Sequence, residues 1–263
     1  MMYFLAVVLI GTIYPIFLEV ITSEKISVGP PYFNQLIIPF LIPFLFIMAL
    51  GPKLDWIKEK KVKIKLTKIL FLVLSIFISY LITKNFNTQV LYSTILISSS
   101  LYLFFVSIID LNNEKLKLSQ KVSHSAFSIL IISIILNSLF SEEVSVNLKQ
   151  GEQKQLSNYL VKFEKLSKME INNYTSLKAE IHIIQNKSQL KFYPELRLYK
   201  VPETVTSEAD IKTNLFNDNL VVVNYLKDTD YLNVRYQKKP FMLLIWLSAF
   251  MLALGGLIGL RKI

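Results

Sequence analysis

The sequence predicts a membrane protein: an α-helical bundle of six transmembrane helices with one outer-side all-β domain, a small sandwich or barrel, inserted between spans. Three observations predict this class. Hydrophobic residues fill 52% of the 263 positions, and mean hydropathy is +0.44, which no ordinary soluble domain reaches. The apolar residues gather into six long runs. The one long polar stretch instead alternates with period two, the signature of half-buried strands.

Residues 2–21, 34–50, 69–83, 89–109, 122–140 and 240–260 are each long enough to cross roughly 30 Å of hydrocarbon. The first run imitates a signal peptide but is too long. It also lacks a basic leading region and a small-residue cleavage site, so it reads as a retained span. The second and third runs are short, and Pro39 and Pro43 predict a kink in the second. Between the first two spans, Gly29 followed by Pro30 and Pro31 reads as a stiff turn presenting Tyr32 and Phe33 near the interface. Aromatic anchoring at the membrane surface is the common use of such residues. A lip for a porphyrin or peptide is the functional one, so these five are the candidate substrate or partner surface.

The loops orient the spans. Lys53, Lys58, Lys60, Lys61, Lys63, Lys65 and Lys68 crowd the loop at 53–68, and Lys115, Lys117 and Lys121 the loop at 111–121. Arg261 and Lys262 follow the last span. The positive-inside rule puts all three on the inner side, with both termini, and leaves the large polar segment outside. The expected domains are 1–140 with five spans, 141–238 as the outer β domain, and 239–263 as the sixth span with a short inner tail.

In the outer segment Val144, Val146 and Leu148 alternate with polar neighbours, as do Ala179, Ile181 and Ile183, and then Leu232, Val234 and Tyr236. One helical interruption is expected over 207–216, with Ser207 as cap and Glu208 and Asp210 in the first turn. Gly151 marks a strand turn, and Pro194 and Pro202 bracket an extended stretch.

The chemistry open to the chain is narrow. A net charge of +10 comes from lysines in short loops, not from a basic stripe with interleaved aromatics, so no nucleic-acid partner is expected. With no cysteine, disulfides, zinc–thiolate sites, iron–sulfur clusters and thiol nucleophiles are excluded. Nucleotide loops, hydrolase elbows, metalloprotease helices and paired-carboxylate sites are missing too. That leaves His124, the only histidine within an apolar run. An ionisable imidazole beside lipid is costly unless a neighbour caps it or a metal holds it.

Two readings of His124 stay open on the residues. It is an axial ligand to haem iron, or it makes an interhelical hydrogen bond. The first needs a second ligand, and no other spanning histidine exists, so that ligand is another residue type or comes from another polypeptide. His182, on an alternating strand with Lys178 and Glu180, reads as solvent-facing. Glu19 and Asp110 lie near span ends, where side chains reach water. Gly255 and Gly259, extended by Ala249 and Ala253, make a small-residue face for helix packing. Asn173-Tyr174-Thr175 and Asn186-Lys187-Ser188 match a glycosylation pattern only at chance level.

Several runs together resemble a known family. These are Gly11-Thr12; Glu24-Lys25-Ile26-Ser27-Val28-Gly29-Pro30-Pro31-Tyr32-Phe33-Asn34; Ala49-Leu50-Gly51-Pro52; and Val122-Ser123-His124. Pro194-Glu195 with Arg197 and Tyr199, Leu215-Phe216, Val234-Arg235-Tyr236, Lys239-Pro240-Phe241, Ile245-Trp246 and Leu254-Gly255-Gly256 continue the match. The chain resembles, over essentially its whole length, the C-terminal half of CcmF, the integral membrane subunit of the cytochrome c haem lyase.

The resemblance implies a role in cytochrome c-type biogenesis. Such proteins accept haem from a membrane-anchored haem chaperone at the outer face and attach it covalently to apocytochrome c, forming thioethers between cysteine thiols and haem vinyls. They also hold a b-type haem within the membrane by two histidines, and His124 matches the C-terminal one of that pair. The implied partners are the N-terminal half of the lyase, the chaperone, apocytochrome c with its thiol-handling proteins, and membrane lipid. The implied location is the bacterial inner membrane with the β domain in the periplasm, or else the mitochondrial inner membrane.

The tryptophan-rich segment of the family, its two outward-facing histidines and the first histidine of the membrane pair have no counterpart here. The chain is then expected to be one product of a split gene or a fragment, inactive as a lyase without its N-terminal half. Ala126 and Ser248 stand where the family usually has glycine. A non-catalytic membrane scaffold of the assembly machinery is the alternative.

Overall fold

The computed structural model describes residues 2–22, 26–51, 66–84, 90–114, 116–185, 188–226 and 229–260. The chain divides into two compact units, Met1–Ile135 with Trp246–Ile263, and Leu136–Ile245. Of the basic residues used above for orientation, Lys53, Lys58, Lys60, Lys61, Lys63, Lys65, Lys115, Arg261 and Lys262 lie outside the described residues, as do Asn186 and Lys187.

Six helices among the described residues are long and apolar enough to cross a membrane. They are α1 (Met2–Thr22), α2 (Pro30–Leu50), α3 (Leu66–Thr83), α4 (Val90–Leu111), α5 (Leu118–Phe140) and α6 (Met242–Leu260). A helix satisfies its own backbone, which lipid cannot do. Hydroxyls in these spans donate back to carbonyls one turn earlier: Ser75 Oγ to Phe71 O at 2.7 Å, Thr83 Oγ1 to Ser79 O at 2.9 Å, Ser100 Oγ to Leu96 O at 3.0 Å. Serine-rich spans therefore present little unpaired polarity.

Two expectations about α2 are corrected. The segment from Gly29 is not a turn before a short span: Gly29 is the N-cap and both prolines occupy the first helical positions, making a helix of 21 residues. Proline suits that place because the N–H it lacks would find no intrahelical acceptor, and its φ is already helical. The helix then continues through Pro39 and Pro43. α3 likewise starts earlier, at Leu66, and reaches 18 residues.

Small residues set the helix packing. Ser75, Ser79 and Thr83 are fully buried at four-residue spacing on α3, and Thr83 Oγ1 meets Thr94 Oγ1 of α4 at 2.6 Å. Leu45 and Ala49 of α2 bury against Leu96, Leu103 and Val106 of α4. On α6, a Cβ at Gly255 would collide with Ser123 Oγ and sit 3.1 Å from Ser123 N, and one at Gly259 would be 3.6 Å from Ser119 Cβ. This glycine face runs on through buried Ser248, whereas Ala249 and Ala253 are exposed, contrary to expectation.

The described residues of the second unit form ten strands: β1 (Glu142–Leu148), β2 (Gln153–Leu156), β3 (Tyr159–Glu170), β4 (Tyr174–Gln185), β5 (Ser188–Phe192), β6 (Glu195–Lys200), β7 (Glu203–Glu208), β8 (Asp210–Thr213), β9 (Asn217–Tyr225) and β10 (Leu232–Pro240). One sheet has the order β1-β10-β9-β8; the other is β2-β3-β4-β6-β7, with β5 also on β4. Val146, Leu148, Ile181, Ile183, Val234 and Tyr236 lie in one core, so the alternating residues read from the sequence are the inward ones. The expected all-β domain is a sandwich.

The helix expected over 207–216 is not formed. That stretch is β7, a crossing and β8, paired to β6 and β9 respectively. Ser207 Oγ donates to Asn224 Oδ1 at 2.7 Å instead of capping, and Asp210 Oδ2 accepts from Tyr193 N at 2.7 Å. The capping residues found cross-strand partners, which a local signature cannot foresee. Gly151 turns the chain at φ 87°, as its position between strands suggested.

Candidate functional site

α5 carries His124 one and a half turns from its start at Leu118. Its imidazole is half-buried and lines a recess with Ser107 and Asp110 of α4, Gln120 and Lys121 of α5, and Leu116 between the two helices. The cavity there is about 10 Å³, room for about one water molecule. Lys121 Nζ donates to Leu111 O at 2.8 Å, a cation on the last carbonyls of α4, where the helix end is negative. Ser107 Oγ is buried with no hydrogen-bond partner among the described residues.

Asp110 was expected near the water at a span end. It is instead 8% exposed and faces the same recess as His124. The helix ends explain the difference: α4 stops at Leu111 and α5 begins at Leu118, so Leu116 of the short connection and Gln120 of α5 line the same recess as the carboxylate. The signal available in the sequence was topological. An acid at the end of one span and a histidine near the start of the next share a level in the bilayer.

The other sequence-derived candidates lie apart from this recess. Pro30 and Pro31 are exposed at the start of α2, while Gly29, Tyr32 and Phe33 are half-buried. The two rings pack edge to face at 5.2 Å and press on α1, where a Cβ at Gly11 would come within 2.8 Å of Tyr32 and 2.9 Å of Phe33. None of the five lines the recess of His124.

His182 corrects a second expectation. It is 7% exposed, not solvent-facing. Its Nε2 lies 3.0 Å from Glu180 Oε1, and Nδ1 lies 2.9 Å from Gln189 Nε2 and 3.5 Å from Glu164 Oε1. Gln189 can only donate to that nitrogen, so Nε2 carries the proton and gives it to Glu180. The face is the outward one, as the alternation indicated, but β5 pairs alongside and covers the ring with Lys191 and Gln189. A bulge in β3 between Phe163 and Lys165 brings Glu164 in. Among the described residues, no group of three or more histidine and acidic side chains could hold a metal ion.

Elsewhere in the sandwich several charged groups are paired. Arg197, hydrogen-bonded to Glu195 at 3.2 Å, holds that carboxyl below its ordinary range, with Ser176 assisting. Lys162 does the same to Glu164. Burial pushes the Tyr236 hydroxyl up to about 12, and it donates to Asn219 Oδ1 at 2.9 Å. Tyr159 is raised by burial and by its bond to Glu142. These are the habits of a structural core.

Comparison with known proteins bears on both units. Residues 139–240 match the family model described as the CcmF C-terminal beta-sandwich. The cytochrome c-type biogenesis protein CcmF of Pseudomonas fluorescens is 28% identical over 270 residues, covering 97% of this chain and 41% of that protein. The protein of the same name from Escherichia coli (strain K12) is 24% identical over 266 residues, with the same coverage of 97% and 41%. A solved structure titled cytochrome c heme lyase CcmF superposes with a TM-score of 0.70 at 17% identity, over 97% of this chain and 43% of that one. At that identity the superposition establishes the fold alone. The chain spans about two-fifths of the length of the curated relatives it matches. Along nearly its whole length, then, this membrane protein is similar to the C-terminal part of CcmF proteins, and its sandwich matches the C-terminal sandwich of that family.

Proposed function

We propose that the chain acts in cytochrome c biogenesis as the C-terminal part of a haem lyase, and that His124 supplies one axial ligand to a b-type haem held in the membrane. The observation that carries this reading is the imidazole itself, half-buried within a spanning helix on a polar-lined recess. The printed names of the relatives and of the superposed structure support the biological setting.

The donor chemistry fits one axial position and no more. Imidazole nitrogen is a ligand that haem iron accepts, and a bound haem would supply a redox-active iron whose potential its ligands and burial tune. The recess encloses only about 10 Å³, far below the 300–1,000 Å³ of pockets that enclose drug-sized ligands, and a porphyrin is no smaller. The second ligand and the remaining enclosure therefore come from another polypeptide, the N-terminal part of the lyase. Asp110 lines the same recess, and a carboxylate is the kind of group that orients a ligating imidazole.

The sandwich sits in the periplasm of a bacterial inner membrane and helps dock apocytochrome c, while a haem chaperone delivers haem to the same side. There each cysteine thiol adds across a haem vinyl, the sulfur bonding to one carbon and the proton going to the other. Exposed Pro30 and Pro31 contribute to the partner surface, and no residue of this chain is assigned to the bond-forming step.

A second reading has its own support. The small recess and its polar walls also suit a histidine that serves packing, in a chain that only scaffolds its partners. One experiment separates the two. The chain is co-expressed with the N-terminal part, and non-covalent haem per intact complex is measured for wild type and His124→Ala. Loss of most membrane haem with the complex still assembled supports ligation. Unchanged haem content refutes it and leaves the scaffold. The chain expressed alone is expected to retain little haem.

A further inference from the structure

The turn joining β8 to β9 ends in two large apolar side chains that are mostly exposed among the described residues: Leu215 is 74% exposed and Phe216 is 80% exposed. The turn is firmly built. Asn214 Oδ1 accepts from both Phe216 N and Asn217 N at 2.9 Å, and Asn214 N donates to Asn217 O at 3.0 Å. A tip held by that many bonds cannot fold its side chains away from water, so the exposure is a property of the fold.

Its location says what covers it. Asn217 pairs with Pro240, the last residue of β10, and Phe241 N donates to Phe216 O at 3.0 Å. Phe241 takes a left-handed φ of 62° and hands the chain directly to α6, which starts at Met242. Asn137 Nδ2, near the end of α5, donates to Pro240 O at 2.5 Å, and the rings of Phe140 and Phe241 lie 6.4 Å apart. The tip is therefore hydrogen-bonded to the residue that leads into α6, and that residue in turn packs against the end of α5, which is where the bilayer surface must be.

We propose that Leu215 and Phe216 insert into the outer interfacial layer of the bilayer, making the β8–β9 turn a third membrane attachment of the sandwich beside α5 and α6. Aromatic and aliphatic side chains at headgroup depth are the usual chemistry of such contacts.

The assignment holds whether or not His124 binds haem. The chain has no cysteine, so single labels are clean. Phe216→Cys and Leu215→Cys are each made in the full chain, spin-labelled and placed in nanodiscs of phosphatidylcholine and phosphatidylglycerol. Asp230→Cys, at the opposite end of the β9–β10 hairpin and roughly 25–30 Å from the tip by strand rise, is the aqueous reference. Collision rates with oxygen and with a water-soluble nickel chelate are measured at each site. The proposal expects the chelate to reach labels at 215 and 216 severalfold less often than the label at 230, with oxygen favoured. Equal chelate access at all three sites overturns it. So does a tip that is aqueous in nanodiscs and protected only in native membranes containing other assembly proteins, which would assign the tip to a protein partner. The two tip variants are independent, so misfolding of one leaves the other to decide.

Discussion

The contact of Gly255 with Ser123 lends itself to a quantitative test. A Cβ at position 255 would meet Ser123 Oγ first, then Ser123 N at 3.1 Å and Cα at 3.3 Å. The overlap with the hydroxyl is by far the deepest, and the backbone atoms add only a slight one. Ordinary contact begins at 3.4 Å, so for the backbone atoms alone α6 must retreat by the difference of about 0.3 Å along the length of its seam with α5. Overpacking of this kind costs about 1–3 kcal/mol. Alanine recovers up to about 1 kcal/mol of helix propensity over glycine, so Gly255→Ala alone should be destabilising by about 1 kcal/mol. In a Ser123→Gly background the nearest obstacle is gone and the propensity term remains, so the same change should be neutral or mildly stabilising. The coupling between the two substitutions is then about 1–2 kcal/mol, well above the 0.3–0.5 kcal/mol scatter of independent sites. The assay is dodecyl-sulfate unfolding of the full chain in mixed micelles, followed by far-ultraviolet circular dichroism for all four variants. Additive behaviour within that scatter would refute direct packing of α6 on Ser123.

Two further tests address the sandwich. Tyr236→Phe removes the hydroxyl that donates to buried Asn219 Oδ1, and leaving that acceptor short of a partner should lower denaturant stability by about 1–2 kcal/mol, read from near-ultraviolet dichroism of the full chain. The carboxyl of Glu195 is held below its ordinary value of 4.5 by Arg197. A depressed value means the folded state binds the proton less readily than the unfolded one. The stabilisation is thus fully present above 4.5 and lost as pH falls through the lower, folded value. Glu195→Gln should flatten that acid limb, and an unchanged pH profile would remove Glu195 from it.

The spans were legible because an uninterrupted apolar run has one stable outcome in lipid, and the sandwich because Val144, Val146, Leu148 and their counterparts alternate cleanly. The failures share a physical origin in side chains whose local preference has two answers. Pro30 and Pro31 suit either a tight turn or the first turn of a helix, and only the packing of Tyr32 and Phe33 on Gly11 selects the helix. Ser207, Glu208 and Asp210 suit a helix start, yet β7 and β8 bury so little that no apolar alternation betrays them as strands. His182 was placed on the correct face, but its cover comes from β5, a five-residue strand with only Leu190 and Phe192 turned inward. At the recess, His124 was conspicuous by being ionisable inside a span. Asp110 was not, because its burial depends on how a short connection closes over it.

The glycines of α6 and the histidine of α5 are parts of one mechanical arrangement. Ser119 and Ser123, four residues apart, form the stripe of α5 that receives Gly259 and Gly255. Gln120 and His124 follow each of them by one residue, about 100° further round the helix, and open onto Ser107 and Asp110 of α4. A helix gripped on one stripe has its rotation about its own axis fixed, and with it the direction of the adjacent stripe. Any side chain at 255 that pushes α5 must therefore also turn the imidazole relative to Asp110. For a haem ligand the consequence is specific: Gly255→Ala should disturb the iron environment in the assembled complex even though Gly255 does not line the recess. A visible-region shift in that variant, reversed by Ser123→Gly, would trace the disturbance to helix rotation. Lower stability with an unaltered spectrum would mean that the two stripes are independent and that something other than α6 aims His124.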